Sequence, residues 1–165
     1  MAEAEFENEF SEEPESSFEI QPSSLDQATH AEVMALYSDA QDNIRFSKNL
    51  QWRTMGGAII LFVILVLACQ FTENETFFVN AVICGSFLVS AGAIYSLAIL
   101  QSWQGTEREK IRELMGKLSN LSTLIHDFKS RMEANIHRYI LLAFMIAGVL
   151  GANYLSIMML MPLTE

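Results

Sequence analysis

Hydrophobic residues along this chain are gathered into three long blocks, and polar segments separate them. The blocks cover 55–71, 77–100 and 139–163, and none of them contains a charged side chain. A bilayer core about 30 Å thick needs roughly 17–25 helical residues, and backbone groups in lipid must pair within their own segment. The sequence therefore predicts an all-α integral membrane protein with three transmembrane helices.

The spacing of the blocks and the positions of the basic residues predict how the chain is threaded. Spans at about 55–71 and 77–101 are separated by a very short polar segment, so they form a predicted transmembrane hairpin over 54–104. The third helix covers 139–163. All ten Lys and Arg residues lie either before the first span or between the second and third spans. The positive-inside rule then predicts a cytoplasmic N-terminus and an outer C-terminus, in a plasma membrane or a bacterial inner membrane.

Two tryptophans agree with this threading. Trp52 comes just before the first span, and Trp103 comes just after the second. Tryptophan is enriched where the hydrocarbon meets the headgroups. Both side chains are therefore predicted to be anchors at the inner interface.

The N-terminal segment is acidic and differs from the rest of the chain. Residues 1–24 hold eight Glu and no base, whereas the whole chain has a net charge of −10. This segment is predicted to be a disordered acidic tail, and nothing in it looks like a cleavable secretory signal. Residues 25–53 are predicted to form a cytoplasmic amphipathic helix with Ser24 as its N-cap. No Gly or Pro intervenes before Gly56, so this helix can run directly into the first span.

A second amphipathic helix is predicted over 105–138. Gly105 offers a break, and Thr106 with Glu109 forms a capping box, so the second span is expected to end near Gln104 and a new helix to begin. This helix either lies along the inner membrane surface, which the Gly105 hinge favours, or folds back around 119–123.

Heptad spacing runs through this second amphipathic helix. Its apolar positions alternate by three and four residues, which is typical of a coiled coil. The resulting association stripe faces lipid, the 25–53 helix or a second subunit. Its members are Ile111, Leu114, Leu118, Leu121, Ile125, Phe128 and Met132.

Small and weakly polar residues recur in the second and third spans at intervals of four. Such positions let membrane helices approach each other closely, so these two spans are predicted to pack with each other or with a partner. Asn153, near the middle of the third span, is expected to make an interhelical hydrogen bond. The predicted packing residues are Ala81, Gly85, Ser86, Ser90, Gly92, Asn153, Ala143, Ala147 and Gly151.

Candidate catalytic chemistry is missing from the sequence. The three His are dispersed, and Cys69 and Cys84 are interpreted as small buried hydrophobic residues. No metal set, phosphate loop or nucleophile motif is found. We expect no cofactor, no metal, no nucleic acid and no small-molecule substrate. Spans without charged residues also argue against a pump or an ion-coupled carrier.

Three classes of function remain, and the sequence favours the first. The leading hypothesis is a non-enzymatic membrane protein that acts by association, as a scaffold or an accessory subunit, with a protein partner or a second copy bound through the cytoplasmic helices. The alternative is a homo-oligomeric pore lined by Ser86, Ser90, Asn153 and Ser156. An enzyme acting on lipid at the inner surface would depend on His126, His137 and Arg138.

Overall fold

The fold is all-α. A computed structural model describes residues 22–71, 76–118 and 131–163, with side chains described at 22–71, 76–118 and 135–162. Within these ranges the chain forms helix α1 (Gln27–Phe71), helix α2 (Thr76–Met115), helix α3 (Arg131–Leu160) and a short 3-10 helix (Met161–Leu163). The predicted disordered tail at 1–24 lies outside the described residues except for its last three positions.

Three helices are long and apolar enough to cross a membrane, as the sequence predicts. With 45 and 40 residues, α1 and α2 extend about 68 and 60 Å at ~1.5 Å per residue. A hydrocarbon core is only about 30 Å thick. Both helices therefore continue well past their apolar segments on the side opposite the 72–75 connection.

A seam of buried residues holds α1 and α2 together as an antiparallel pair. The buried positions follow intervals that are mostly three and four, so they form one stripe on each helix. In α1 they are Val33, Ala40, Ser47, Gln51, Ala58, Phe62, Val66 and Cys69. In α2 they are Val79, Val82, Ser86, Ser90, Ala93, Leu97, Leu100, Gln101, Gln104, Glu107 and Ile111.

Helix α3 packs against both members of this pair and runs parallel to α1. Its Met145 and Val149 join Phe62 and Leu97 in one apolar cluster. Farther along, Leu160 joins a second cluster with residues of α1 and α2 that flank the 72–75 connection. The three apolar segments therefore lie side by side at the same level.

The two separate amphipathic helices predicted beside the spans are not found as separate elements in the described part of the chain. Residues 27–53 are the first half of α1, so this segment does run directly into the first span. Residues 105–115 are the last part of α2, and 131–138 are the start of α3. The remaining connection, 119–130, lies outside the described residues, as does the predicted fold-back site around 119–123.

The predicted helix break at Gly105 is wrong, because α2 continues to Met115. Residues on both sides of the glycine, Gln104 and Glu107, are buried in the seam. A glycine inside a helix costs only about 1 kcal/mol, so burial of this stretch keeps the helix continuous. The predicted capping box is not used either, since Glu109 pairs with Arg112 at 2.7 Å instead. A surface helix hinged at Gly105 is therefore excluded.

The start of α1 also differs from the prediction. Ser24 was expected to cap the helix, but the backbone amide of Thr29 donates to the carboxylate of Asp26 at 3.3 Å. Asp26 is therefore the N-cap, which fits the strong preference for Asp at this position. The prediction fails by two residues because Ser and Asp are nearly equivalent as caps.

The two cysteines lie in different environments. Both are free thiols; Cys69 is buried in the α1–α2 seam, whereas Cys84 is exposed on α2. The interpretation of both as buried hydrophobic residues therefore holds only for Cys69. Neither apolar periodicity nor composition distinguishes the two environments, because both positions lie in uncharged membrane segments.

Candidate functional site: the glutamine cluster and the basic cleft

Charged side chains of the described residues lie together at one end of the three-helix bundle, here called the basic end. It brings together residues that are far apart in sequence, because α2 is antiparallel to both α1 and α3. Its cleft is bordered by Lys48 of α1, Arg108 of α2 and Arg138 of α3. Two adjoining features form the candidate site: a buried cluster of glutamines and an open basic cleft.

The glutamine cluster consists of Gln51, Gln101 and Gln104, and all three are buried. The Gln104 amide donates to the side-chain oxygen of Gln51 at 2.8 Å. The Gln51 amide lies 3.2 Å from the side-chain oxygen of Gln101 and 3.4 Å from the backbone oxygen of Leu97. Buried amides need such partners, since leaving one unpaired costs about 1–3 kcal/mol. The cluster therefore fixes the register of α1 against α2.

The amide of Gln101 also connects this cluster to α3. In the alternative orientation of this amide, its oxygen faces α3 instead of Gln51 and accepts from Nε and Nη2 of Arg138 at 3.2 and 3.3 Å, which replaces the contact with the Gln51 amide. Arg138 further donates to the side-chain oxygen of Asn135 at 3.3 Å. With the Gln101 amide in this second orientation, hydrogen bonds at the basic end reach all three helices.

A buried carboxylate lies one turn beyond the glutamines. The side chain of Glu107 is only 4% exposed, and one of its oxygens accepts from Lys110 at 2.8 Å and from the indole of Trp103 at 3.2 Å. Its second oxygen has no partner among the described residues. Trp103 also packs edge-on against Phe46 of α1, with ring centroids 6.3 Å apart.

The basic cleft opens beside these polar residues and has a volume of about 1050 Å³. A smaller recess of about 330 Å³ adjoins it, and Lys48, Arg108 and Arg138 line both spaces. Ala98, Tyr139 and Leu142 line the cleft on the side of the apolar segments, whereas Arg45, Glu109 and Arg112 line it on the far side. The cleft therefore has cations at its centre, an apolar wall on one side and charged groups on the other.

Mutual repulsion acts on the three central cations. Burial lowers the pKa of the Lys48 ammonium, and the charges of Arg108 and Arg138 lower it further. Burial, followed by the charge of Arg138, also lowers the pKa of the Arg108 guanidinium. Within the described residues no carboxylate lies within ion-pair distance of these three cations, and Nε of Arg108 is buried without a hydrogen bond. These three cations thus have no ion-pair partner among the described residues, and the one carboxylate that lines the cleft, Glu109, pairs with Arg112.

The predicted packing residues divide into two groups. Ser86, Ser90 and Asn153 are buried between the helices, and Gly85 is half-buried. The others are exposed on α2 and α3: Ala81, Gly92, Ala143, Ala147 and Gly151. A Cβ atom built on Gly85, Gly92 or Gly151 meets nothing within 4 Å. The small side chains at these positions are therefore not required for packing inside this chain, and their role toward a partner stays a prediction.

A close contact occurs instead at Gly148, which belongs to the same small-residue pattern in the third span. A Cβ atom on Gly148 would lie 2.7 Å from the terminal methyl group of Met55. The contact is with the flexible end of the Met55 side chain, so Gly148 leaves room for that side chain between α3 and α1. Its i+4 spacing with Ala152 was visible in the sequence, but the pattern does not show which small face a neighbouring helix covers.

The four polar residues of the pore hypothesis are all buried inside the three-helix bundle. Ser86 and Ser156 donate to backbone oxygens of their own helices, those of Ile83 and Ala152, at 2.7 and 2.9 Å. A conduit between copies would require these residues to turn outward. The side-chain oxygen of Asn153 has no partner in the described ranges, so the expected interhelical hydrogen bond to this oxygen is not found.

The predicted association stripe does not lie on one helix. Ile111 is buried in the seam, Leu114 is half-buried, and Leu118 follows the end of α2. Leu121, Ile125 and Phe128 lie outside the described residues, and Met132 belongs to α3. The heptad spacing is nevertheless meaningful upstream, where Leu97, Gln104 and Ile111 continue the same repeat within the α1–α2 seam. This upstream part of the repeat is not evident from hydrophobic residues alone, because some of its buried positions, such as Gln104, are polar.

Both predicted tryptophan anchors lie at the basic end, where Trp52 is 54% exposed and Trp103 is 37% exposed. Trp103 is in addition tied to Glu107 and Phe46. The structure therefore places the two rings near the limit of the apolar segments, and their contact with lipid stays a prediction.

No group of three or more His, Cys, Asp and Glu that could hold a metal ion is found among the residues the structure describes. Comparison of this chain with the models of known protein families, with curated proteins and with solved structures finds no match. Functional inference therefore depends on the geometry of the chain itself.

Proposed function

We propose that this chain is a non-enzymatic integral membrane protein of the cell membrane that acts by association, as a scaffold or an accessory subunit. Its basic end and N-terminus would face the cytoplasm, as the positive-inside rule favours. The partner would be another protein or a second copy of this chain.

The observation that carries this proposal is the way α1 continues beyond its apolar segment. Met34 and Leu36 are 45% and 50% exposed on this extension. They lie about 30 Å from the start of the apolar segment at 55, at ~1.5 Å per residue. The two side chains lie about 200° apart around the helix, one on each side of the buried seam, and their exposure so far from the apolar segments is the basis for proposing a protein contact.

The seam supports the same proposal. Buried residues from Val33 to Cys69 and from Val79 to Ile111 join the extension to the membrane segments. A partner bound to the extension would therefore be held at a fixed distance from the bilayer. Such positioning is what a scaffold or an accessory subunit supplies.

Site-directed photo-crosslinking in intact membranes tests the association surface. A photoreactive residue at Leu36 is expected to give a discrete adduct. Ala35, which is exposed and lies about 100° around the helix from both Leu36 and Met34, is the matched control and is expected to give little. Equal labelling at both positions, or none at either, would argue against a partner on this face.

Cysteine crosslinking then identifies whether the partner is a second copy. The background variant is Cys84→Ser, which removes the exposed thiol. In that background, Gly92→Cys tests the outward small-residue face, and Phe87→Cys tests an exposed position on another side of α2. Self-association through the small face predicts a product of twice the 18.6 kDa chain mass from Gly92→Cys alone. A product from neither variant would exclude self-association through these two faces of α2.

Threading is tested separately with tags at the two termini of the full chain. A protease added to sealed cells is expected to remove the C-terminal tag and to leave the N-terminal tag intact. The reverse pattern would refute the proposed orientation without affecting the crosslinking results.

A further inference from the structure

Each of the three helices contributes one cation to the region where the basic cleft meets its smaller recess. Lys48, Arg108 and Arg138 come from α1, α2 and α3 and line both the main cleft and the adjoining recess. Convergence of like charges opposes folding unless something compensates it. Such an arrangement therefore indicates a bound anion.

Neighbouring carboxylates do not supply that compensation within the described residues. Glu109 lines the cleft but forms an ion pair with Arg112 at 2.7 Å. Glu107 pairs with Lys110 at 2.8 Å. The partners of Arg138 are the neutral side chains of Asn135 and, with its amide turned, Gln101.

Space at the centre of the cleft also fits a ligand. The guanidinium of Arg138 passes over Gly105, where a Cβ atom would lie 3.9 Å from its Nη2 atom. The volume of about 1050 Å³ is just above the roughly 300–1,000 Å³ usual for ligand pockets. A group with several oxygen acceptors could therefore reach all three cations.

We propose that the basic cleft binds the phosphate headgroup of an anionic lipid, with the phosphate among Lys48, Arg108 and Arg138. Arginine forks match the geometry of phosphate oxygens and bind them in pairs. Basic pockets between membrane helices are suited to such headgroups. The site is separate from the proposed association surface and does not depend on it.

The apolar wall is the reason for choosing a lipid over a soluble phosphate. Ala98, Tyr139 and Leu142 line the side of the cleft that adjoins the apolar segments, and Tyr139 is 61% exposed. The first carbons of an acyl chain would lie against these residues while the phosphate stays at the cations. A free phosphate would gain nothing from this wall.

Binding can be measured with the full chain, purified in a mild detergent and stripped of lipid. Three probes are compared: short-chain phosphatidic acid, short-chain phosphatidylcholine and inorganic phosphate. Thermal unfolding is followed at each concentration, and native mass spectrometry counts retained lipids. Phosphatidic acid is expected to raise the unfolding temperature and to remain bound as one molecule, whereas phosphatidylcholine and inorganic phosphate are expected to do neither.

Charge-neutralising variants locate the site. Lys48→Gln and Arg108→Gln are each expected to weaken phosphatidic acid binding by about tenfold or more, because hydrogen bonds to charged groups are among the stronger ones. Without lipid, these two variants should be as stable as the unaltered chain or more stable, because a like-charge repulsion is removed. Arg53→Gln makes the same charge change at an exposed position outside both recesses and should leave binding unchanged.

Three results would overturn the proposal. Equal loss of binding in Arg53→Gln would show that only net charge matters. Inorganic phosphate as effective as phosphatidic acid would show that the ligand is not a lipid. If no anionic probe raised the unfolding temperature, and if Lys48→Gln retained as much phosphatidic acid as the unaltered chain, the cleft would not be an anion site.

Discussion

The seam between α1 and α2 is buried along the length of both helices but has two different chemistries. Near the 72–75 connection it is filled by apolar side chains such as Val66, Val79 and Val82. At the basic end the equivalent positions are occupied by Gln51, Gln104 and Glu107. The change occurs where the apolar segments end.

Different interactions stabilise helix pairing in the two parts of the seam. Lipid tails are as apolar as the side chains they would replace, so helices in a bilayer associate through close packing. A row of apolar side chains can also slide along its neighbour without losing much contact. At the basic end, buried side-chain amides must find hydrogen-bond partners within the protein. Because these hydrogen bonds are directional, they permit only one register of α1 against α2. The apolar half therefore supplies contact, and the polar half supplies specificity.

The largest expected effect is in the apolar half. Phe62 is 1% exposed and lies in the cluster shared by all three helices. Phe62→Ala is expected to lower the free energy of unfolding by about 3–5 kcal/mol, because it removes contacts and leaves a cavity. Reversible unfolding in mixed detergent micelles measures this. Ile60→Ala, at a 62% exposed position of the same helix, is the control and should cost far less; equal losses would contradict the packing described here.

The second largest effect is expected in the polar half of the seam. Gln51→Ala leaves the Gln104 amide without its acceptor and is expected to cost about 1–3 kcal/mol. The same unfolding measurement applies, with Asn49→Ala as an exposed control on α1.

Apolar replacement of both partners distinguishes hydrogen bonding from simple packing. Gln51→Leu combined with Gln104→Leu should restore much of the lost stability, because no unpaired amide remains between these two positions. It should also increase the variety of α1–α2 registers seen by cysteine crosslinking. A double variant that is as unstable as the sum of its single changes, with an unchanged register, would show that the amides do not act as a pair.

A smaller difference in stability is expected between alanine substitutions at two glycines of α3, one in contact with another helix and one facing open space. Gly148→Ala places a methyl group against Met55, whereas Gly151→Ala meets open space. Because alanine favours a helix by about 1 kcal/mol over glycine, Gly151→Ala should stabilise the monomer by roughly that amount. Gly148→Ala should be less favourable by about 1 kcal/mol, since the Met55 side chain must move. Adding Met55→Ala to both variants should remove most of this difference.

The smallest effect concerns the start of α1, far from the membrane. Hydrogen bonds from Thr29, first from its side chain and then from its backbone, lower the pKa of Asp26 below its ordinary value of 3.8. A carboxyl group with a lowered folded pKa stabilises the helix above the unfolded value, and this contribution is lost as pH falls through the folded pKa. Hydrogen exchange at Thr29, corrected for intrinsic rates, should therefore accelerate in that acid range.

Substitution checks the assignment of this cap. Asp26→Ala should give fast exchange at Thr29 at neutral pH, while Ser24→Ala should leave it unchanged. The opposite result would show that Ser24, and not Asp26, is the N-cap of α1.

The sequence by itself determined the number of apolar helices and where they lie along the chain. Composition is sufficient for this, because a bilayer requires long uncharged helices and leaves few alternatives. It also determined that α1 runs through 53 without a break, since no Gly or Pro intervenes before Gly56. The sequence also predicted that the basic residues lie at one end of the helices, because all of them fall before the first apolar block or between the second and third.

The tertiary structure alone decided which faces are buried, and for that reason it also decided the candidate site. Gly105 has the sequence features of a helix break, yet packing of Gln104 and Glu107 against α1 keeps it helical. Lys48, Arg108 and Arg138 are separated by 60 and 30 positions, and only the antiparallel packing of the three helices brings them to one cleft. Local patterns report the preference of each segment for lipid or water. They do not report which segments meet, because that depends on contacts between residues distant in the chain.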